Sequence, residues 1–483
     1  RPMGHPNTTT DQRLERLREM LERVGQQHLL AFVAELSAER RNALCDRIEA
    51  LHLREIPSLV ERYVSGHGHA DLPETIEPAP YFPIDGSNWD RVAAAAAGET
   101  LLRDGKIACF TVAGGQGSRL GFDGPKGCFP AGAVTGKPLF QIFAEQLVAT
   151  GRRYGRTPRW SIMTSPLNHD RTVDFFREHE FFGLEPDAVS FFQQGVMPAF
   201  DDRTGAILMA DRDAPATSPD GHGGAVRALH ESGELDRLRE LGVEHLSYTQ
   251  VDNPHAKMAD PLFLGVHAAA PGSSGEMSSK MLPKAAPAEK VGVFCHAGGK
   301  TRVIEYSDLP DDLARQTDEH GTLRFIAGSI AIHAIGVRFL ARVATEPGLE
   351  LPFHRAHKKV PHIDTRTGER VEPQEPNAIK LERFIFDAIP LAEASPVLET
   401  DRVEEFAPVK NKEGVDSIET CHRLQTERAA RWLEHAGVAV PRRADGSPDC
   451  TLEISPLTAL DADQLRDRGD LPTAIEPGSS LAL

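Results

Sequence analysis

The sequence lacks several features that mark common classes of protein. Its six cysteines show no Cys-x-x-Cys spacing, which argues against zinc ribbons and redox motifs and favours a reduced interior. No run of about eighteen apolar residues and no secretory signal pattern are visible, so we expect a cytoplasmic protein without a membrane span. Basic residues are outnumbered, since 54 Lys and Arg stand against 71 Asp and Glu and give a net charge of −17. Because nucleic acids and anionic membranes attract a positive field, neither is an expected partner.

The chain does have the length and the pattern of a large α/β protein. Its 483 residues, 40% of them hydrophobic, can bury the cores of two or three domains. Apolar residues recur at spacings of three and four between Asp11 and Gly66, which predicts a helical N-terminal domain. Further along, the patterns predict strands at 107–112, 160–164, 189–193 and 245–251, alternating with helices at 138–150, 168–180 and 225–240. This alternation predicts a Rossmann-like mixed, mostly parallel sheet flanked by helices.

The pattern changes in the second half of the chain. Residues 291–306 predict a β-hairpin with Gly298 and Gly299 in its turn, and helices are predicted at 329–343 and 419–436. We therefore divide the chain into a helical N-terminal domain with a linker at 1–100, a Rossmann-like α/β domain at 101–395 and a small α+β C-terminal domain at 396–483.

A glycine-rich loop follows the first predicted strand of the α/β region. The stretch IACFTVAGGQGSRLGFDGPKGCFP begins as a buried strand and continues with closely spaced glycines, Arg119 and Lys126. Glycines let backbone N–H groups approach an anion and the two cations add charge, so the loop suits a di- or triphosphate. Two familiar motifs do not fit, because the dinucleotide pattern needs glycine in place of Leu120 and the P-loop needs Ser or Thr in place of Gly127. The alternative is a glycine-rich turn with incidental basic residues.

Other candidate residues follow later strands. Asp252 ends the predicted strand SYTQVDN, where a carboxylate facing a phosphate loop is a good Mg²⁺ ligand; the alternative is an aspartate that caps a turn. The loop SPDGHGG at 218–224 precedes a helix, and read alone it is a loop-to-helix cap in which His222 could donate a hydrogen bond. Gln193 has the donor and acceptor needed to bind a uracil edge, and Lys410 lies in a turn-like segment. Each of these two residues, taken alone, is an ordinary polar residue.

These candidates lie within a series of motifs that runs in order along nearly the whole chain. The motifs are GQQHLLAF, AGGQGSRLGFDGPKG, IMTS, FFQQGVMPAF, SPDGHGG, VDN, VIEYSDL, PNAIKLERFIFDAI, EEFAPVKN and LEISPL. On these motifs the sequence resembles the UDP-N-acetylglucosamine pyrophosphorylase branch of the UTP-dependent sugar-1-phosphate uridylyltransferases. The resemblance implies that UTP and a sugar 1-phosphate, with N-acetylglucosamine 1-phosphate ahead of glucose 1-phosphate, give a UDP-sugar and pyrophosphate. It also implies that residues 101–395 form the catalytic nucleotidyltransferase domain and that the C-terminal domain supplies Lys410.

The resemblance assigns roles to individual residues. Arg119 and Lys126 would hold the triphosphate and the departing pyrophosphate, and Lys410 would reach the phosphates. Asp252 would bind Mg²⁺, the expected cofactor. Gly114 and Gly115 would contact the nucleotide, and Gln193 and Gly221 would help to hold the uracil. Lys380 is a candidate contact of the sugar phosphate, Glu305 would bind sugar hydroxyls and Phe386 would lie near the acetamido group. His222 and Ser329 would bear on the choice of sugar.

The sugar half departs from the pattern of the resembled family. That family typically has asparagine where His222 stands, and its Asn-Ala-Gly-Asn is here Ile326-Ala-Gly-Ser329, so two amide side chains are lost from that motif. Because a pocket that binds a sugar amide discriminates strongly only when its hydrogen-bonding groups match, we expect sugar choice to be shifted or broadened. The alternatives are a UDP-glucose or broad-specificity UDP-sugar pyrophosphorylase, and an inactive nucleotide-sugar-binding regulator. Leu120 disfavours a dehydrogenase, and the oligomeric state stays open, with a monomer compatible with the sequence.

Overall fold

A computed structural model describes residues 9–66, 73 and 75–483. The chain forms two compact units, each built from three segments. The smaller unit comprises Arg1–Leu72, Gln194–Ala228 and Glu350–Ile385, and the larger unit comprises Pro73–Gln193, Leu229–Leu349 and Phe386–Leu483. The predicted division into three consecutive functional domains stays a prediction, because compactness does not establish the role of a segment. Its linker lies partly outside the described residues.

The helices come from all parts of the described chain. They are α1 Thr10–Arg23, α2 Ala38–Glu49, α3 Ile56–Leu59, α4 Arg91–Arg103, α5 Leu139–Tyr154, α6 His169–Glu178, α7 Ala225–Glu231, α8 Glu234–Glu240, α9 Pro261–Ala269, α10 Asp311–Ala314, α11 Val337–Thr345, α12 Arg402–Glu405, α13 Ile418–His435 and α14 Ala462–Arg466.

The strands each lie wholly in one unit. They are β1 Glu77–Pro78, β2 Ile107–Val112, β3 Arg159–Thr164, β4 Val189–Gln193, β5 Val196–Pro198, β6 Phe200–Asp201, β7 Met209–Asp211, β8 Ala214–Pro215, β9 Thr217–Pro219, β10 His245–Gln250, β11 Met277–Pro283, β12 Val293–Ala297, β13 Lys300–Ile304, β14 Ala327–Gly336, β15 His354–Lys358, β16 His362–Ile363, β17 Arg370–Val371, β18 Ala378–Glu382, β19 Val397–Glu399, β20 Thr451–Glu453 and β21 Ser480–Ala482. Of these, β5–β9 and β15–β18 belong to the smaller unit, and the other strands belong to the larger unit.

The larger unit is organised around one mixed sheet. Its strand order is β1-β12-β14-β10-β2-β3-β4, with β11, β13 and β19 attached beside this path. Strands β10, β2, β3 and β4 run parallel, whereas β14 is antiparallel to β10. The predicted mixed α/β fold is confirmed. Because the parallel strands end at one edge, the loops that follow Val112, Gln193 and Gln250 leave the sheet at that edge.

Most predicted elements of the larger unit are confirmed within a few residues. β2 and β4 have the predicted bounds, and the hairpin of β12 and β13 turns through Gly298 and Gly299, whose φ values are +60° and +74°. The predicted helix at 225–240 is two helices, because the chain turns between them at Gly233 with φ +78°.

The helix predicted at 329–343 was wrong over its first half. Residues 327–336 form β14, and α11 begins only at Val337. β14 pairs with β11 on one side and with β10 and β12 on the other, and most of it is buried. A strand buried on both faces reads as a continuous apolar run, which periodicity alone does not distinguish from a buried helix.

The N-terminal helices form part of the smaller unit. α1 begins with a capping box at Thr9, and its Leu17 and Leu21 are buried. They belong to a core that also contains Phe200 and Leu381, on β6 and β18. The helical stripe predicted from the sequence is therefore confirmed, and strands far along the chain contribute to the core that buries it.

The C-terminal segment of the larger unit has the predicted α+β composition. The 18-residue helix α13 packs with α14 and with the parallel pair of β20 and β21 around Trp432 and Leu452. All six cysteines of the chain are free thiols. Among the described residues, no helix has the length and apolar character needed to cross a membrane.

Candidate active site

The glycine-rich loop after β2 folds back on itself through its backbone. The N–H of Lys126 donates to the C=O of Gly115 at 3.0 Å, and the N–H of Gly117 donates to the C=O of Gly124 at 2.8 Å. A Cβ on Gly117 would lie 2.7 Å from the Phe122 ring, so only glycine fits there. Gly114 is half-buried and Gly115 is exposed, so the backbone of this turn is open to an approaching group.

The side chain of Asn168, a residue not predicted as part of the site, binds the backbone of this loop. Its Nδ2 donates to the C=O of Ala113 at 2.9 Å and of Gly115 at 3.2 Å. Its Oδ1 accepts from the N–H of Ser165 at 2.8 Å, and the side chain is fully buried. The only sequence signal was its place just before α6, after the motif IMTS; the buried carbonyls that it binds are set by the fold.

Lys126 and Asp252 are brought together by neighbouring strands. β2 and β10 pair in parallel, with Val112 opposite Gln250, and the two residues lie in the loops that follow. Lys126 Nζ is 3.7 Å from Asp252 Oδ2, and the two side chains are 17% and 14% exposed. This distance gives an ion pair without a direct hydrogen bond, so both groups keep bonding capacity toward a ligand.

Lys410 belongs to a segment that is attached to the same loop. The N–H of Val409 donates to the C=O of Asp252 at 2.8 Å. Lys410 Nζ lies 3.5 Å from Asp416 Oδ2 and 5.5 Å from the centre of the Phe406 ring. The tertiary structure thus places a residue 158 positions further along the chain next to the end of β10.

Two other predicted nucleotide contacts of the larger unit lie at exposed positions. Arg119 is on the short turn Ser118–Leu120 of the glycine-rich loop, with an exposed side chain. Gln193 is the last residue of β4, opposite Thr164 of β3, and is also exposed. Both therefore face solvent at or beyond the carboxyl ends of the parallel strands.

Two of the predicted sugar contacts, Ser329 and Glu305, are each adjacent to Gly292. The N–H of Ser329 donates to the C=O of Gly292 at 2.8 Å. A Cβ on Gly292 would lie 3.4 Å from Glu305 Oε1, so this carboxylate is also adjacent. Phe386 lies half-buried on the 3-10 helix Ile385–Leu391. The structure therefore places Ser329 and Glu305 on the two sides of the chain at Gly292, and the element that carries Ser329 is the strand β14 and not the predicted helix.

Three predicted residues belong to the smaller unit. Gly221 has φ +85°, and a Cβ there would come within 2.3 Å of the Arg383 carbonyl oxygen. Nδ1 of His222 accepts from the N–H of Ile385 at 3.1 Å, which leaves the proton of the neutral ring on Nε2. Lys380 lies on β18, opposite Ala356 of β15.

The imidazole of His222 is kept neutral by its surroundings. It stacks on the Phe384 ring with centroids 5.2 Å apart, and the same ring stacks on His354 at 4.1 Å. Burial, with a smaller contribution from the His354 charge, lowers the pKa of His222 to about 4. At neutral pH the ring therefore offers an N–H donor and no positive charge.

The charged groups of the larger-unit site suit a phosphate ligand that brings its own metal ion. Within the described part of the chain, no group of three or more His, Cys, Asp and Glu side chains has metal-binding geometry. One carboxylate, Asp252, lies beside Lys126. Mg²⁺ is commonly held by one or two carboxylates together with phosphate oxygens and water, so this donor set fits it.

A glycine-rich loop and a carboxylate at the carboxyl ends of the parallel strands of a mixed α/β sheet are typical of nucleotide-binding proteins of the Rossmann-like class. The sequence model of the UTP–glucose-1-phosphate uridylyltransferase family matches residues 61–430. The chain therefore belongs to that family, as the ordered motifs predicted.

Individual relatives place the chain within the family. It is 35% identical over 472 residues to UDP-N-acetylglucosamine diphosphorylase 2 of Arabidopsis thaliana, covering 92% of this chain and 90% of the relative. It is 35% identical over 434 residues to the UDP-N-acetylglucosamine pyrophosphorylase of Saccharomyces cerevisiae, covering 87% and 88%. The crystal structure of the uridine diphosphate N-acetylglucosamine pyrophosphorylase of Trypanosoma brucei superposes with a TM-score of 0.82 at 27% identity, covering 98% and 99%. These likenesses confirm the UDP-N-acetylglucosamine pyrophosphorylase branch.

Proposed function

We propose that this protein is a UTP-dependent uridylyltransferase that makes a UDP-sugar and pyrophosphate. Its preferred sugar substrate in this proposal is N-acetylglucosamine 1-phosphate. The observation that carries the proposal is the meeting of Lys126, Asp252 and the Lys410 segment beyond β2 and β10. The family model supports the choice of UTP, and the named relatives support the choice of the N-acetylated sugar. The six free thiols are compatible with a cytoplasmic location, which is part of the same proposal.

In the proposed reaction, an oxygen of the sugar 1-phosphate attacks the α-phosphorus of UTP. A bond forms between these two atoms, the bond from the α-phosphorus to the bridging oxygen of the β-phosphate breaks, and pyrophosphate departs with that oxygen. Such a transfer depends on positioning and on neutralising negative charge more than on covalent catalysis by the protein. Lys126, Arg119 and Lys410 supply positive charge, and the Gly114–Gly115 turn supplies open backbone.

Asp252 is the residue that would hold Mg²⁺ in this site. The ion, when bound with the nucleotide, would neutralise phosphate charge and favour departure of pyrophosphate. Lys126 lies close enough to Asp252 to orient its carboxylate before the nucleotide arrives. The protein's own contribution is thus a carboxylate and an ammonium presented side by side at the end of β10.

Glucose 1-phosphate is the second candidate substrate, favoured by a specific observation. The segment 326–329 carries Ile and Ser where the family has two asparagines, and the N–H of Ser329 donates to the C=O of Gly292, whose other neighbour is Glu305. Glu305 can accept from sugar hydroxyls of either substrate, whereas a hydroxyl replaces an amide at position 329. The second candidate is therefore distinguished by the sugar and not by the nucleotide.

The test is release of pyrophosphate from UTP in the presence of each of four sugar 1-phosphates. Glucose, galactose, N-acetylglucosamine and N-acetylgalactosamine 1-phosphates are compared with Mg²⁺ and with a chelator. We expect Mg²⁺-dependent release that is fastest with N-acetylglucosamine 1-phosphate. Release that is fastest with glucose 1-phosphate would support the second candidate. UTP binding without release from any of the four would refute the enzymatic proposal and support a regulator.

A further inference from the structure

The side chain of Asn253 connects the loop after β10 with the segment that leads to Lys410. Its Nδ2 donates to the C=O of Glu405 at 2.7 Å, and its Oδ1 accepts from the N–H of Ala407 at 3.0 Å. Beside it, the N–H of Val409 donates to the C=O of Asp252 at 2.8 Å. Three hydrogen bonds, two from the Asn253 side chain and one between backbones, therefore join residues 252–253 to residues 405–409.

The amide of Asn253 is well matched to this position. It is 4% exposed, and its two backbone partners are two residues apart on one edge of the segment. A planar carboxamide offers one donor and one acceptor at that spacing, whereas an aspartate would face the Glu405 C=O with a second acceptor. An alanine would leave both buried backbone groups without this partner.

The other end of the segment is anchored independently. The carboxylate of Glu405 accepts from Lys280 Nζ at 2.5 Å and from Thr400 Oγ1 at 2.7 Å. Lys280 is fully buried and also pairs with Asp260 at 2.5 Å. These contacts hold residue 405 in place. From there to Lys410 the chain is held by the bonds from Asn253 and Asp252, by the burial of Ala407 and Val409, and by the N–H of Lys410, which donates to the C=O of Asp416 at 2.6 Å.

We propose that Asn253 is a positioning residue that sets the place of the Lys410 ammonium relative to the Asp252 carboxylate. This rests on the proposed function, because it takes Lys410 and Asp252 to be residues of the active site. Lys410 follows Val409 directly, and its Nζ faces Asp416 on its own loop. Asn253 thus acts through Lys410 and need not touch the substrate. A displacement of a catalytic group by about 1 Å can lower a rate by about 10²-fold.

The test is a double-mutant cycle with Asn253→Ala, Lys410→Ala and the double variant, measured as pyrophosphate release. We expect Asn253→Ala to lower kcat by roughly 10- to 100-fold. We expect the double variant to be no more than about threefold slower than Lys410→Ala, because the two residues act as one unit. Effects that multiply in the double variant would overturn the proposal, as would normal turnover of Asn253→Ala. If Asn253→Ala fails to fold, Asn253→Ser replaces it in the same cycle, since serine cannot bond both partners.

Gln26 provides a matched control. Its amide donates to the C=O of Gly205 at 3.1 Å and accepts from the N–H of Ile207 at 2.8 Å, and it too is 4% exposed. Gln26→Ala therefore loses the same two kinds of bond within the smaller unit, and we expect a lower Tm with kcat within about twofold of the parent.

Hydrogen exchange tests the hydrogen bonds from Asn253 to residues 405–407, here called the tether, independently of the proposed function. In the free enzyme, Asn253→Ala should speed amide exchange in residues 405–411, whereas Gln26→Ala should not. Unchanged exchange there would overturn the tether even if the enzyme is active. If exchange is faster in Asn253→Ala but the parent protein makes no UDP-sugar, the proposed function is refuted, and with it the effect of Asn253 on catalysis. Only the structural role of Asn253 in holding residues 405–411 would then remain supported.

Discussion

Replacing Asp252 should remove activity while leaving the fold almost intact, and the structure explains why. The contact that joins this residue to the Lys410 segment uses its backbone C=O, which any substitution keeps. Its carboxylate forms an ion pair with Lys126 at 3.7 Å. At an effective dielectric constant of about 20 this pair has a gross Coulomb energy of about 4 kcal/mol. Desolvation offsets much of it, so we expect Asp252→Asn to lower the free energy of unfolding by about 1–2 kcal/mol.

The expected loss of activity is larger than the loss of stability. A charge-assisted interaction present in the transition state contributes up to about 3 kcal/mol, which corresponds to about 150-fold in rate, and loss of a metal ligand adds to it. Pyrophosphate release is measured against Mg²⁺ concentration for Asp252→Asn and Asp252→Ala, with Tm recorded in parallel. Turnover within about threefold of the parent, with the same Mg²⁺ dependence, would refute the assignment of Asp252.

The opposite ends of the same strands supply the control. Lys106 precedes β2 and Glu244 precedes β10, and their side chains pair at 2.8 Å. Glu244→Gln removes an ion pair from the same two strands, far along them from Asp252. We expect it to leave Mg²⁺ dependence and kcat unchanged. A loss as large as that of Asp252→Asn would show that any disturbance of these strands inactivates the enzyme.

Three other expectations concern the sugar, the pH dependence and the glycine-rich loop. His222→Asn combined with Ser329→Asn should raise the preference for N-acetylglucosamine 1-phosphate over glucose 1-phosphate; an unchanged ratio of kcat/KM values would contradict this. Because the pKa of His222 falls from its usual 6.5 to about 4 on folding, its contribution to stability is complete above about pH 6.5 and is lost as the pH drops toward 4. Between pH 7 and pH 4.5, the free energy of unfolding measured in urea should therefore fall by about 1–3 kcal/mol less in His222→Asn than in the parent. An equal fall in the two proteins would count against this. Asn168→Ala should raise the KM for UTP by about tenfold or more, since the loop carbonyls of Ala113 and Gly115 lose their buried donor, and an unaltered KM would argue against that support.

Local chemistry was enough to locate the strands and the glycine-rich loop to which nucleotide binding is assigned in our proposal. The apolar run at 107–112 and the glycines behind it predicted a strand and an anion loop, and the structure has β2 with those bounds. The run at 189–193 likewise became β4. Such elements are predictable because a short buried strand and a tight turn each depend on residues that are adjacent in sequence.

Other features could not be predicted because they depend on partners distant in the chain. Residues 327–336 became a strand since β10 and β11 lie on either side of them, which local periodicity does not record. Asn168 and Asn253 are ordinary polar residues in sequence, and their importance comes from the buried backbone groups that they bind.

The sequence by itself thus determined the family, the place of the glycine-rich loop and the identity of the charged residues, because ordered motifs and local patterns depend on neighbouring positions. Only the tertiary structure decided that Lys126 faces Asp252 across two parallel strands and that Lys410 is tied to the same loop. The physical reason is that hydrogen bonds and ion pairs between distant segments form only after the sheet has aligned the ends of its strands.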